Sequence, residues 1–267
     1  MKSYREVFGQ LRREGRAALI PFFVIGDPDF ETSLGVVKAA VDAGADVLEL
    51  GIAFSDPIAD GPTIQKAGIR AMRAGMTVAR ALEFIGRVKA YKDVPIGLLM
   101  YYNLVYQYGV ERFCVNAHAA GVNSILVADL SIDDADEVAG PARKAGLDTV
   151  FMVTPNTAEQ RMTRIAAATT GFVYTVSVLG VTGSRDELSG QVEGLVGRLK
   201  RLTDVPVCVG FGISRPEHAV AVARAGADGV IIGSKVVSMI EQNLGAPGAM
   251  KEAIAGFLGD IRVALGG

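Results

Sequence analysis

Four times along the chain the same four-residue joint stands before a short apolar run. Ala43-Gly44-Ala45-Asp46 precedes Val-Leu-Glu-Leu, and Ala120-Gly121-Val122-Asn123 precedes Ser-Ile-Leu-Val. Ala145-Gly146-Leu147-Asp148 precedes Thr-Val-Phe-Met, and Ala225-Gly226-Ala227-Asp228 precedes Gly-Val-Ile-Ile. Each joint closes a segment of helical periodicity. Its glycine reads as a helix C-terminal cap and the run after it as a strand. One helix-to-strand joint used repeatedly argues for repeated βα units and a parallel sheet.

On that basis the chain yields eight strands, near 18–25, 47–51, 95–100, 124–128, 149–153, 172–177, 206–210 and 229–232. Helices are predicted over 33–43, 78–91, 110–119, 134–145, 158–167, 192–202 and 216–225. A further helix, 4–14, precedes the first strand, and another, 249–265, closes the chain. This pattern fits a (β/α)8 TIM barrel with an extra N-terminal helix and additional helices after strands two and eight. No G-x-G-x-x-G follows strand one, which counts against a dinucleotide-binding sheet. Nothing in the composition divides the 267 residues, half of them hydrophobic, so one TIM-barrel domain over 1–267 is expected.

Charge narrows the partners. With 27 basic and 29 acidic residues the chain offers no basic field for nucleic acid and no polybasic run for a membrane surface. Two cysteines, Cys114 and Cys208, make no disulfide framework and have no metal-ligand spacing; both read as buried thiols. His118 and His218 lie in helical patterns without a metal-ligand partner and read as structural, so no metal is expected. The opening MKSYREVFGQLRREGR is charged throughout and lacks the apolar centre of a secretory signal, and no apolar run reaches a membrane span. A cytoplasmic protein is expected.

The chemistry concentrates in Leu48-Glu-Leu-Gly-Ile-Ala-Phe-Ser-Asp-Pro-Ile-Ala-Asp-Gly-Pro-Thr-Ile-Gln65. Period-two alternation sends Leu48, Leu50 and Ile52 one way, and Val47, Glu49 and Gly51 the other. An unpaired carboxylate between two leucines is costly to bury, so Glu49 faces either water at an edge or a functional cavity; the cavity is the expectation. Asp60 is either a second functional carboxylate or a cap for a helix starting near Thr63. Asp27, in Gly26-Asp27-Pro28-Asp29, reads as turn chemistry with an Asp cap for the next helix. Phe22 on strand one could line a pocket for a flat aromatic substrate. Tyr101 shares a face with Leu99, and its ring is core, pocket wall or surface.

Barrel chemistry gathers at the C-terminal strand ends. Val176–Gly190, rich in small residues around Thr182 and Gly183, is either a lid or a plain surface loop. Gly210-Phe211-Gly212-Ile213-Ser214 follows strand seven and Gly233-Ser234-Lys235 follows strand eight. Glycines that admit close backbone approach, beside a helix N-terminus with free N–H groups, suit a phosphate.

The loop-two stretch, with PFFVIGDPD, LLMYYNLVYQYG, VSVLGVTG, GFGIS and IIGS in order across nearly the whole chain, resembles the alpha subunit of tryptophan synthase. The resemblance implies cofactor-free retro-aldol cleavage of indole-3-glycerol phosphate to indole and glyceraldehyde 3-phosphate. It implies Glu49 as general acid/base and Asp60 as the carboxylate on the indole N–H. Phe22, Leu99, Phe211 and Ile231 match the apolar pocket walls, Tyr174 a pocket tyrosine near the acid/base, and Thr182 the lid threonine. Gly183, Gly212, Gly233 and Ser234 match the phosphate positions. The implied partner is a pyridoxal-phosphate beta subunit receiving indole through a tunnel. Ala53 and Ser131 stand where the family usually has proline, on loops facing that partner, and mid-helix Gly68 points the same way; looser coupling is expected. A stand-alone lyase, a non-catalytic activator of a beta subunit and a generic phosphate-binding barrel are the alternatives.

Overall fold

The computed structural model describes residues 1–176, 185–210 and 212–266, with the backbone alone for 185–189 and 191. Its elements, in chain order, are α1 (Tyr4–Glu14), β1 (Ala18–Val24), α2 (Phe30–Asp42), β2 (Leu48–Gly51), α3 (Pro62–Arg73), α4 (Val78–Tyr91) and β3 (Ile96–Met100). Next come α5 (Tyr102–Tyr108), α6 (Val110–Ala120), β4 (Ser124–Val127), α7 (Asp136–Lys144), β5 (Asp148–Thr149), β6 (Phe151–Val153) and α8 (Glu159–Ala168). The chain ends with β7 (Val173–Val176), α9 (Arg185–Lys200), β8 (Val207–Gly210), α10 (Pro216–Arg224), β9 (Gly229–Ile232), α11 (Ser234–Gln242) and α12 (Pro247–Ala264).

The strand pairs are parallel and run β5-β4-β3-β2-β1-β9-β8-β7-β6. β5 and β6 are two pieces of the expected fifth strand, interrupted at Val150. One pairs with β4 and the other with β7. That single segment therefore joins both ends of the sheet, and the sheet forms a nearly closed TIM barrel.

The repeated joint explains itself in this frame. Gly44, Gly121, Gly146 and Gly226 all take the left-handed conformation, φ 99°, 101°, 83° and 91°, where a Cβ is disfavoured. The fourth residue has its own task. Asp46 Oδ2 accepts from the Leu19 N–H at 2.9 Å, Asn123 Oδ1 from Ile96 at 3.0 Å, and Asp228 Oδ2 from Val207 at 2.9 Å. At three of the four joints a short acceptor thus ties the incoming strand to its neighbour.

Alternation sorts the core into two layers. Leu48, Leu50, Ile96 and Leu98 pack outward against the helices. Val47, Ile20, Leu126, Tyr174, Cys208 and Ile231 fill the barrel. α1, held by a reciprocal Ser3–Glu6 capping box, drives Tyr4, Val7, Phe8 and Leu11 into the same interior layer. Each such side chain contributes roughly 1.5–3 kcal/mol on burial, so the extra helix stays docked as a plug. Tyr4 Oη and Ser124 Oγ are 2.7 Å apart within it.

Among the helices, two depart most from expectation. α9 begins earlier than residue 192. α5 was not foreseen, because its Tyr-Tyr-Asn-Leu-Val-Tyr-Gln-Tyr sequence has poor helix propensity. A distant residue supplies its missing cap: Asp129 accepts from the Tyr102 N–H at 2.7 Å.

Candidate active site

Glu49 projects into the barrel, as the alternation of β2 requires. It is only 3 % exposed, and among the described residues its Oε2 has no hydrogen-bond partner. Burial alone pushes its carboxyl up to about 8, because a charged carboxylate there would lose hydration and gain nothing. Its burial removes the edge-facing alternative. Its register neighbours are Phe22 on β1 and Gly97 on β3.

Asp60 sits on the loop between β2 and α3. The capping alternative does not hold: the N-cap of α3 is Gly61, without a side-chain bond. The backbone of Asp60 is pinned instead. Its N–H donates to the Pro57 carbonyl at 3.0 Å, and its carbonyl accepts from Gln65 Nε2 at 2.8 Å. The carboxylate is thereby left to act. Burial raises its pKa, and the Tyr101 hydroxyl pulls it back down.

Tyr101 is buried, which excludes the surface reading. Its ring stacks on Phe54 with centroids 5.2 Å apart, and its Oη accepts from the Ala59 N–H at 3.1 Å. Burial, then the Asp60 charge, push its hydroxyl up to about 12, so it stays a neutral donor beside that carboxylate. One cleft brings Phe22, Gly51, Ala53, Phe54 and Asp60 together. Leu99 bridges the barrel interior and this mouth. Tyr174 and Ile231 lie deeper, in the interior layer. Burial and then the charge of Glu49 drive the Tyr174 hydroxyl well above the usual tyrosine range. A Cβ on Gly210 would come 2.5 Å from Tyr174 Oη, so the glycine makes room for that ring.

Of the phosphate candidates, Gly233 adjoins the Phe22 wall of this cleft. β8 and β9 pair, which sets the loops after them side by side. Gly212 has φ 77°, a conformation that suits glycine. Gly233 starts α11, whose N-terminus has no side-chain cap and so keeps free N–H groups. A Cβ on Gly233 would touch Phe22 at 3.6 Å, placing Ser234 one residue from the aromatic wall. Thr182, Gly183 and Phe211 lie outside the described residues.

Asp27 is the residue that sequence reasoning misplaced. Asp29 caps α2, accepting from Thr32 N at 2.9 Å. Asp27 is fully buried and accepts from Arg70 Nε at 2.6 Å and Nη2 at 2.9 Å. This fork ties the loop after β1 to α3, the helix that follows Asp60. At Ser131, the hydroxyl accepts from the Asp133 N–H at 3.0 Å, building a turn where a proline ring would have stood. Ala53 packs at the mouth beside Gly68, whose added Cβ would meet it at 3.9 Å. Among the described residues no group of three or more His, Cys, Asp or Glu could hold a metal ion, and no helix is long and apolar enough to cross a membrane.

The family model described as tryptophan synthase alpha chain matches residues 8–263. A tryptophan synthase alpha chain from Methanoregula boonei is 47% identical over 246 residues, 92% of this chain and 93% of the relative. One from Methanothermobacter thermautotrophicus is 47% identical over 264 residues, 99% and 97% of the two chains. A solved chain from the tryptophan synthase a2b2 complex of Pyrococcus furiosus superposes with a TM-score of 0.86 at 39% identity, covering 93% of this chain and 98% of that one.

Proposed function

The chain belongs to the tryptophan synthase alpha chain family, and from that premise we propose how its residues divide the work. The reaction is the retro-aldol cleavage of indole-3-glycerol phosphate to indole and glyceraldehyde 3-phosphate, a lyase step in tryptophan biosynthesis. It requires a proton on indole C3, loss of the 3′-hydroxyl proton, and a counter-charge for the transient indoleninium.

Glu49 supplies both proton steps. Held protonated near neutral pH by burial, it gives its proton to C3. The carboxylate so formed takes the 3′-hydroxyl proton as the C–C bond breaks. The bonding electrons return to the ring, the carbinol carbon becomes the aldehyde, and Glu49 ends as it began. Asp60, ionised, faces the indole N–H and stabilises the cation in between. Such fixed charge in a water-poor site is commonly the largest catalytic contribution. Phe22, Leu99, Phe211 and Ile231 wall the ring, with Tyr101 and Tyr174 beside the carboxyls and Thr182 on the lid. Gly183, Gly212, Gly233 and Ser234 hold the phosphate.

The observation that carries this reading is the buried Glu49 Oε2, without a hydrogen-bond partner among the described residues and on the register neighbour of an aromatic ring at the mouth. We further assign the chain a single domain over 1–267, a cytoplasmic setting compatible with two free buried thiols, and a beta subunit as partner. Indole release by the purified chain, measured with and without a beta subunit, tests the whole. Stimulation on mixing supports the alpha-subunit role. Full activity unchanged by the partner supports a stand-alone lyase, and stimulation of the partner without cleavage an activator.

A further inference from the structure

His218, read from sequence as a plain helical residue, stands against the loop after β8. Its Nε2 lies 3.2 Å from Arg215 Nη2, and its Nδ1 3.1 Å from the Gly212 carbonyl oxygen. A guanidinium only donates, so Nε2 accepts and Nδ1 carries the hydrogen. The same Nδ1 is 3.4 Å from the Ser214 nitrogen and 3.5 Å from Ser214 Oγ. The Ser214 N–H is also directed at Nδ1, at the longer 3.4 Å, so the Gly212 carbonyl at 3.1 Å is the nearer of the two groups competing for this nitrogen.

The peptide unit is planar and trans, with C=O and N–H on opposite edges. A Gly212 carbonyl held toward α10 therefore turns the Ile213 N–H away from α10. Among the described residues no acceptor meets that N–H. The left-handed Gly212 is the pivot that permits this orientation.

We propose that His218 is a positioning residue for the phosphate site: by anchoring the Gly212 carbonyl it aims the Ile213 N–H at the anion shared with the first turn of α11. The proposal rests on the phosphate assignment made above and adds the residue that sets its geometry. His218 does not touch substrate. It acts through one peptide plane.

The test uses the full chain with a beta subunit added. His218→Ala is expected to raise the KM for indole-3-glycerol phosphate roughly five- to tenfold, the loss of about one oriented neutral hydrogen bond, with kcat within about twofold. The dissociation constant for glycerol 3-phosphate should rise in step, while inhibition by indole, which has no phosphate, stays unchanged. His218→Asn, whose amide can reach Gly212 but not Arg215, should restore KM. Equal weakening of glycerol 3-phosphate and indole, or failure of Asn to rescue, would overturn the proposal in favour of general packing. An unchanged KM in His218→Ala would also overturn it. A parallel Ser234→Asp variant separates the two levels: if it too leaves KM and glycerol 3-phosphate binding intact, the phosphate assignment itself falls. If Ser234→Asp weakens both and His218→Ala does not, only the His218 role falls.

Discussion

Phe22 on β1 lies directly across from Glu49 on β2. Register neighbours on parallel strands point to the same side of the sheet, so an aromatic ring and the buried acid share one wall. The Phe22 ring is held over Gly51, where an added Cβ would come 2.8 Å from Cζ. Gly51→Ala is therefore expected to push the ring across the cleft and lower kcat/KM up to about a hundredfold, as misplacement of about 1 Å can. Steady-state kinetics beside an unchanged circular dichroism spectrum check this. Unaltered kcat/KM would mean that the ring does not border the substrate.

Glu49→Gln keeps the volume and removes the transferable proton. Turnover should fall by roughly 10²–10⁴-fold or more, with substrate still bound in an equilibrium titration. The wild-type pH profile follows from two opposite requirements. Protonated Glu49 is lost as pH rises through about 8, which sets the alkaline limb of kcat/KM. Ionised Asp60 is lost as pH falls through its burial-raised value, so the acid limb lies above the ordinary aspartate range. An alkaline limb that persisted unmoved in a residually active Glu49 variant would detach it from Glu49.

Much of this arrangement was legible in the chain. The glycine joints announced the βα repeat, and the alternation of 47–52 put Glu49 and the leucines on opposite faces. What escaped the sequence was pairing at a distance. Nothing near Asp27 names Arg70, 43 residues on, and a local capping rule filled the gap wrongly. The helix at Tyr102–Tyr108 escaped for the same reason, since its cap is Asp129. Val150 split the fifth strand although Val150–Val153 is an unbroken apolar run, because barrel closure, not composition, decides where the ladder breaks. Asp60 stood out as a candidate carboxylate, but not that the Tyr101 hydroxyl lies beside it and Gln65 holds its carbonyl.

Burial of Glu49 is also a statement about stability. Its folded-state pKa is about 8 against an ordinary 4.5. The folded form thus holds a proton that the unfolded chain releases. Stability from this source is fully present below about pH 4.5 and is lost at up to about 1.4 kcal/mol per pH unit until pH passes about 8. Glu49→Gln removes the titration. Thermal melts from pH 5 to 9 should show the variant gaining on the wild type as pH rises through this window, then running parallel above it. A constant gap across the range would mean that Glu49 titrates normally.

The fork between Arg70 and Asp27 allows a last prediction, because its two members are unequally placed. Asp27 is fully buried, while the Arg70 side chain is 18% exposed and also reaches toward Glu241 at 3.7 Å. Burial raises the Asp27 pKa and the guanidinium opposes the rise. Arg70→Met strands a buried carboxylate that also feels the Glu241 charge, and breaking a buried pair this way typically costs about 3–5 kcal/mol. Adding Asp27→Asn removes the stranded charge, so the double variant should recover more than half of that loss in a denaturant melt. The same fork ties the β1 loop to the helix following Asp60, so Arg70→Met should also depress kcat/KM, and the double variant should regain stability faster than activity. Parallel recovery of both would place Arg70 in the scaffold alone, with no part in holding the Asp60 loop.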